Sequence, residues 1–286
     1  KNLLDKSNYV VGNLETPIAG EELKYTYERY SFNSPIEFAM AVKNAGFDLV
    51  STANNHCLDR GIVGLKNTID NLDAIGLPHI GTYSNENKDY FIKKFDKLKI
   101  GFLSYTYGTN AFANQIYLKK SELFYVNLFR KQEPLIRKYD ILKRAKRKFF
   151  SNLHFLDDFF YLKKLKEDIK ILKRNGANKI IMCMHSGGQY NKEVDTYTKY
   201  LRKKLIKYGI DIIIGCHPHV VHPVIIEKNN FCAYSLGNFF RMPRNEISLD
   251  TYSNYSIITH IYFDEVFRFQ ASFSITKSVM ENGKPV

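Results

Sequence analysis

The chain has 286 residues, room for up to two domains or for one α/β domain with additions. Its 44% hydrophobic content, with 20 Tyr and 21 Phe, supplies a packed core and excludes a disordered tail as the main reading. No run approaches the roughly 20 apolar residues of a membrane-crossing helix, and the net charge of +13 points to anionic partners.

In chain order, short apolar runs alternate with helical stretches. YVVGNLE (9–15) reads as a strand. SPIEFAMAVKNAG (34–46) reads as a helix, with Ser34 as its cap, Pro35 in the first turn and Gly46 at its end. FDLVSTANN (47–55) is a strand. GIVGLKNTIDNLDAIG (61–76) is a helix, with Ile62, Leu65, Ile69, Leu72 and Ile75 near helical period. LPHIGT, YFIKKF and LKIGFLSYTYG follow as strands. YLKKLKEDIKILKRNGA (161–177) is an amphipathic helix closed by Gly176. NKIIMCMHSGG is a strand, DTYTKYLRKKLIKYG a helix and IDIIIGCHPHV a strand. The tail, PVIIEKNNFCAYSLGNFF, NYSIITHIYFD and FRFQASFSITKSV, reads as antiparallel strands. This alternation predicts an α/β fold on a mainly parallel sheet with an antiparallel addition.

One compositional break interrupts the pattern. Residues 111–160 are basic, aromatic and weakly periodic, and read as an insertion in which 133–150 is helical and NLHFLDDFF is a loop. From residue 117 to 179 there are 18 Lys plus Arg against 7 Asp plus Glu, almost the whole charge excess. Such a block fits a polyanion or a solvated helix face. An aromatic and basic stretch can also stack bases, but no RNA-binding motif accompanies it, so nucleic acid is not the expected partner.

The four cysteines, Cys57, Cys183, Cys216 and Cys232, form no CxxC pair and read as reduced thiols of a cytoplasmic protein. The opening residues show no signal peptide. The chain does not begin with Met, so the alternative expectation is a cell-surface protein anchored through an upstream segment.

Polar residues gather where the apolar strands stop. Glu15 follows the first. Asn54, Asn55 and His56 follow the second. His185 follows IIMCM, and His217 and His219 follow IDIIIGC. In an open α/β sheet, ligands gather at the carboxyl ends of strands. Imidazole, carboxylate and amide oxygen are the donor set for zinc, manganese or iron. His217 and His219, two apart, are expected on one side of extended backbone, stiffened by Pro218. Plainer readings stand beside these. Glu15 caps the turn before Thr16-Pro17, and Asp59 beside Arg60 pins the loop after His56. His79, His154 and His260 are structural or surface groups, and His222 is close enough to His219 to line a site.

The blocks GNLETP, ANNHCLDRG, HSGGQYN, GCHPHV and YSLGNF, in this order, resemble the CapA family of poly-γ-glutamate capsule biosynthesis proteins. That family in turn resembles the calcineurin-like metallophosphatases. The resemblance implies a single domain over 1–286, a four-layer α/β/β/α sandwich with a basic helical insertion at 111–160. The superfamily's first strand, carrying a Gly-Asp pair, would lie upstream, because the strand at 9–15 matches the second family motif. The resemblance further implies one or two divalent ions (Mn, Fe or Zn). Glu15, Asn55, His185, His217 and His219 are the implied ligands and His56 the implied general acid. Asn13, Asn54, Asp59, Ser235 and Asn238 would line the site or support it. HSGGQYN departs from the usual His-Trp-Gly followed by Glu-Tyr: Ser186 lacks an aromatic wall and Gln189 replaces an acid.

The function so implied is a metal-dependent hydrolase of a phosphoester or γ-glutamyl amide in capsule or surface-polymer biosynthesis. The alternative is a non-catalytic accessory protein that binds a polyanion during capsule assembly or export. Expected partners are an anionic polymer or phosphoester substrate and the capsule-synthesis machinery. Membrane contact is expected only through a segment outside this sequence.

Overall fold

A computed structural model describes residues 4–28, 30–132, 154–227, 229–240, 251–281 and 284–285. Its strands and helices, in chain order, begin with β1 (Val11–Asn13), β2 (Thr26–Glu28), β3 (Ser31–Asn33), α1 (Ile36–Asn44), β4 (Leu49–Ser51), α2 (Gly61–Ala74) and β5 (His79–Ile80). Then come β6 (Ile92–Phe95), β7 (Leu98–Thr106), α3 (Ala111–Asn114), α4 (His154–Arg174), β8 (Lys179–His185), α5 (Thr196–Tyr208) and β9 (Ile212–Cys216). The rest is strand: β10 (Val224–Glu227), β11 (Asn230–Ala233), β12 (Tyr255–Phe263), β13 (Phe269–Lys277), β14 (Met280–Glu281) and β15 (Lys284–Pro285). The fold is mixed α/β. The chain divides into two compact units, Lys1–Asp89 with Ser104–Lys170, and Tyr90–Leu103 with Ile171–Val286.

The first unit is built on a three-stranded parallel sheet in the order β1-β4-β5. β4 is buried along its whole length, as expected of an apolar strand covered on both faces. Leu14, Ala39, Val50 and Leu72 form one core cluster. α1 starts later than its sequence suggests. Pro35, not Ser34, is its N-cap, in extended backbone at φ −69° and ψ 160°. The Ser34 hydroxyl instead meets Thr16 Oγ1 at 3.0 Å, so it joins the turn after β1 rather than the helix end.

The stretch read as an insertion is partly woven into this unit. Tyr83 N donates to Tyr125 O, and Thr82–Val126 and Thr106–Leu128 pair as isolated bridges. Val126, Leu128 and Phe129 are buried, and Phe129 is fully enclosed beside Tyr105. NLHFLDDFF, read as a loop, holds the first turns of α4 from His154 onward. Its Phe159 and Phe160 are exposed on this helix, whose buried side includes Tyr161, Leu162 and Leu165. The helix expected over 133–150 lies outside the described residues.

The second unit centres on a six-stranded sheet ordered β10-β11-β9-β8-β7-β6. The β8–β9 and β9–β11 pairs are parallel, and the β10–β11 and β6–β7 pairs are antiparallel. α5 begins at Asp195, whose carboxylate accepts from Thr198 N and Thr198 Oγ1, both at 2.8 Å, and it ends at Gly209 in left-handed backbone. The expected antiparallel addition is the β12–β13 hairpin, held by Phe231 against Phe269 and Phe273. Among the described residues no helix is long and apolar enough to cross a membrane.

Candidate functional site

In the first unit the polar chain begins at the parallel ladder. Asn13 and Ser51 are register partners at the ends of β1 and β4. Ser51 Oγ donates to Asn13 Oδ1 at 3.1 Å, and Asn13 Nδ2 donates to Glu15 Oε2 at 2.9 Å. The side chain of Asn13 therefore transmits the strand register to the Glu15 carboxylate. Asn54 ties the next turn down. Its Nδ2 donates to Leu14 O at 2.7 Å and its Oδ1 accepts from His56 N at 3.0 Å, a local Asx turn that fixes where His56 emerges.

His56 is 4% exposed and firmly oriented. Its Nδ1 lies 2.6 Å from Asp59 Oδ2, and Phe32 stacks on its ring at 4.1 Å and 16°. Asp59 also accepts from Phe32 N at 2.8 Å and from Asn114 Nδ2 at 2.9 Å. A carboxylate can only accept, so Nδ1 of the ring carries the proton and Nε2 the lone pair. Asp59 thus does what the plainer reading suggested, pinning the loop, and orients His56 as well. Asn55, 1% exposed, donates from Nδ2 to Asn110 Oδ1 at 3.2 Å.

In the second unit β8 and β9 end side by side. His185 and Cys216 are register partners, and their side chains meet at 3.2 Å between Nδ1 and Sγ. The His185 and His217 ring centroids are 4.7 Å apart and tilted by 55°. Metal–nitrogen bonds near 2.0–2.1 Å put ring centroids about 3.2 Å from an ion, so two neighbouring ligands have centroids about 5 Å apart. The His185–His217 pair fits that spacing. His217 and His219 are 6.1 Å apart, wider than two neighbouring ligands of one ion.

The route to this arrangement differs from the extended HPH expected. β9 stops at Cys216, and His217 and His219 adopt φ values of 102° and 60°. The pair sits in a tight left-handed turn, so strand alternation does not explain its placement. Non-glycine residues hold such backbone only where the surroundings compel it, at about 1–3 kcal/mol each. One constraint comes from the HSGG loop. Gly187, at φ 128°, lies where a Cβ would come within 2.9 Å of Pro218.

His219 is set from behind. Asn238 donates from Nδ2 to His219 O and Ser253 O, which turns its Oδ1 to His219 Nδ1 at 2.7 Å. That oxygen accepts, so Nδ1 carries the proton, an arrangement of the kind that supports ligating histidines. The donor chemistry of each unit therefore fits a divalent ion. Ser235 is wholly buried and accepts from Gly237 N at 3.3 Å, holding the turn that carries Asn238.

The remaining readings resolve locally. Ser186, expected only as a missing aromatic wall, is buried and bonded to Thr198 Oγ1 at 2.9 Å, which ties it to the start of α5. Tyr190 supplies an aromatic face instead, stacked on His219 at 5.4 Å. His222 is buried and bonds Asn191 O at 2.7 Å, a loop tie. His79 pairs with Asp73 and His260 with Ser274. The side chain of His154 lies outside the described residues. None of the cysteines is in a disulfide, and burial pushes the Cys183 and Cys232 thiols up to about 12, so both are inert core groups.

Sequence reasoning missed Phe32, Asn110, Asn114, Tyr190 and Cys216. Asn110 follows β7 just as His56 follows β4, so the same strand-end rule was available for it. Tyr190 and Cys216 lie inside the HSGGQYN and GCHPHV blocks, whereas Phe32 and Asn114 carry no local signal.

Residues 1–242 match the family of bacterial capsule synthesis proteins, PGA_cap. The chain belongs to this family. It is 28% identical over 244 residues to the capsule biosynthesis protein CapA of Bacillus anthracis, covering 82% of this chain and 51% of that protein. It is 24% identical over 240 residues to the PGA biosynthesis protein CapA of Bacillus subtilis, covering 82% and 53%. The chain spans about half the length of these curated relatives. Among solved structures, sulfate thiohydrolase SoxB of Thermus thermophilus superposes over 87% of this chain and 37% of its own, with 10% identity and a TM-score of 0.43.

Proposed function

We propose that this member of the PGA_cap family is a metal-dependent hydrolase acting on a phosphoester or γ-glutamyl amide in capsule or surface-polymer biosynthesis. Glu15, Asn55, His185, His217 and His219 are the proposed ligands, and His56 the acid, on a metallophosphatase-like sandwich. The observation that carries the reading is the pairing of His185 and His217 at two parallel strand ends, at ligand spacing and with one of them in strained backbone. When bound, a divalent ion would supply Lewis-acid polarisation and water activation. The wider His217–His219 separation suits two adjacent ions better than one. His56, its Nδ1–H held by Asp59, presents Nε2 to protonate a leaving oxygen or nitrogen. Asn13 holds the Glu15 carboxylate in place.

Elemental mass spectrometry on untagged protein tests the metal. Stoichiometric manganese, iron or zinc, lost in His217→Ala, is expected. Hydrolysis of bis-p-nitrophenyl phosphate should then fall about 10²–10⁴-fold in folded His56→Ala. Protein that takes up no metal on incubation with each ion sinks this reading.

A second reading has its own support. The net charge of +13 and the departure at HSGGQYN favour a non-catalytic accessory protein that binds an acidic polymer during assembly or export. Saturable binding to polyglutamate without turnover, by protein that holds no metal, would select it.

A further inference from the structure

We infer that Cys216 is a positioning residue whose thiol sets the tautomer and ring orientation of His185. The inference rests on the metal-centre reading for its purpose but not for its geometry. His185 and Cys216 are paired residues in the parallel β8–β9 ladder, so the register itself puts thiol against imidazole. Ser186 N donates to Cys216 O at 3.2 Å, which locks the backbone of both strand ends just beyond the pair. Cys216 is also the residue on which the left-handed turn at His217 begins.

The polarity of the contact follows from a second hydrogen bond. Cys216 Sγ lies 3.8 Å from Met184 O. A carbonyl only accepts, so a thiol hydrogen directed there donates to Met184. With the hydrogen so placed, the sulfur faces His185 Nδ1 with its lone pairs at 3.2 Å, and Nδ1 is the protonated nitrogen. The lone pair of the ring is thereby placed on Nε2. Ligating histidines usually have a carboxylate, carbonyl or amide oxygen behind them, as His219 has Asn238. His185 has a thiol in that role. Sulfur is a weaker acceptor and weaker donor than oxygen, so the neighbouring carbonyl is needed to hold the hydrogen away from the ring.

The test is nitrogen NMR on 15N-histidine-labelled protein without metal, with the His185 ring assigned through His185→Gln. The expected result is an Nδ1–H, Nε2-lone-pair tautomer for His185 in the unaltered protein, and a mixed tautomer in Cys216→Ala. Cys216→Ser keeps a group that both donates and accepts, and should restore the single tautomer. Cobalt(II) titration provides the second readout. Cys216→Ala should bind roughly 10–100-fold more weakly, with Cys216→Ser close to the unaltered protein. An Nε2–H tautomer in the unaltered protein overturns the inference. So does a Cys216→Ala variant with unchanged tautomer and unchanged cobalt(II) affinity. If the tautomer responds as expected but the unaltered protein binds no cobalt(II), the positioning role stands and the metal reading falls.

Discussion

Asp59 shows how much one side chain can hold. It sits fully enclosed between His56 Nδ1, Phe32 N and Asn114 Nδ2. Asp59→Ala would remove the acceptor from the buried His56 Nδ1–H and from two part-buried donors, Phe32 N and Asn114 Nδ2, at about 1–3 kcal/mol for a buried one. A loss of at least ~2 kcal/mol is expected in urea unfolding, and an unchanged midpoint would show that these bonds do not form. His217 offers a different test. Its φ of 102° suits glycine, and an alanine there keeps the strain while losing the ring. His217→Gly should therefore be more stable than His217→Ala by about 1 kcal/mol. Equal stabilities would mean that the turn is not left-handed in solution.

At the scale of elements, α4 carries a buried charge network. Asp168 accepts from Lys88 Nζ at 2.7 Å and Tyr105 OH at 2.5 Å, and Lys164 Nζ reaches Leu123 O at 3.0 Å. Burial, with Lys88 nearby and Asp168 opposing, pulls the Lys164 ammonium down to about 8 from its ordinary 10.5. Burial likewise lowers Lys88. Between those two pH values the unfolded chain binds the proton and the folded chain has released it. The charged Lys164 thus destabilises the fold fully below pH 8, and the penalty is relieved as pH rises toward 10.5. The stability of Lys164→Met relative to the unaltered protein should decline across that window. A flat difference in urea midpoint from pH 7.5 to 10.5 would contradict it. The strand ends behave as elements too. β8 and β9 bring His185 and Cys216 together through register alone, and β1 and β4 do the same for Asn13 and Ser51.

For the whole molecule, the charge of +13 is the property that reaches furthest. On the accessory reading, binding to polyglutamate should weaken several-fold between about 0.05 and about 0.2 M salt, because exposed charges are screened over a Debye length near 10 Å at 0.1 M. Salt-independent binding, measured by fluorescence anisotropy, would mean that a specific cleft dominates. Much of the architecture was legible at this scale. Strand–helix alternation gave the α/β class, and the C-terminal strands formed the expected hairpin. The boundaries were less legible. α4 begins within a stretch that read as loop, because Phe159 and Phe160 in its first turns are exposed and so lack the apolar periodicity of a buried helix face.

The sequence by itself determined the family, through five ordered blocks, and named the polar groups that end the strands. It could do so because strand period, helix period and metal-donor chemistry are all local properties of residue type. Only the tertiary structure decided how those groups are held. Asp59 orients His56, Asn238 sets His219, and Cys216 meets His185 across a gap of 31 residues. Only it replaced the extended HPH with a left-handed turn. Hydrogen-bond partners distant in sequence and backbone forced by packing have no local code, because each depends on which strand becomes the neighbour.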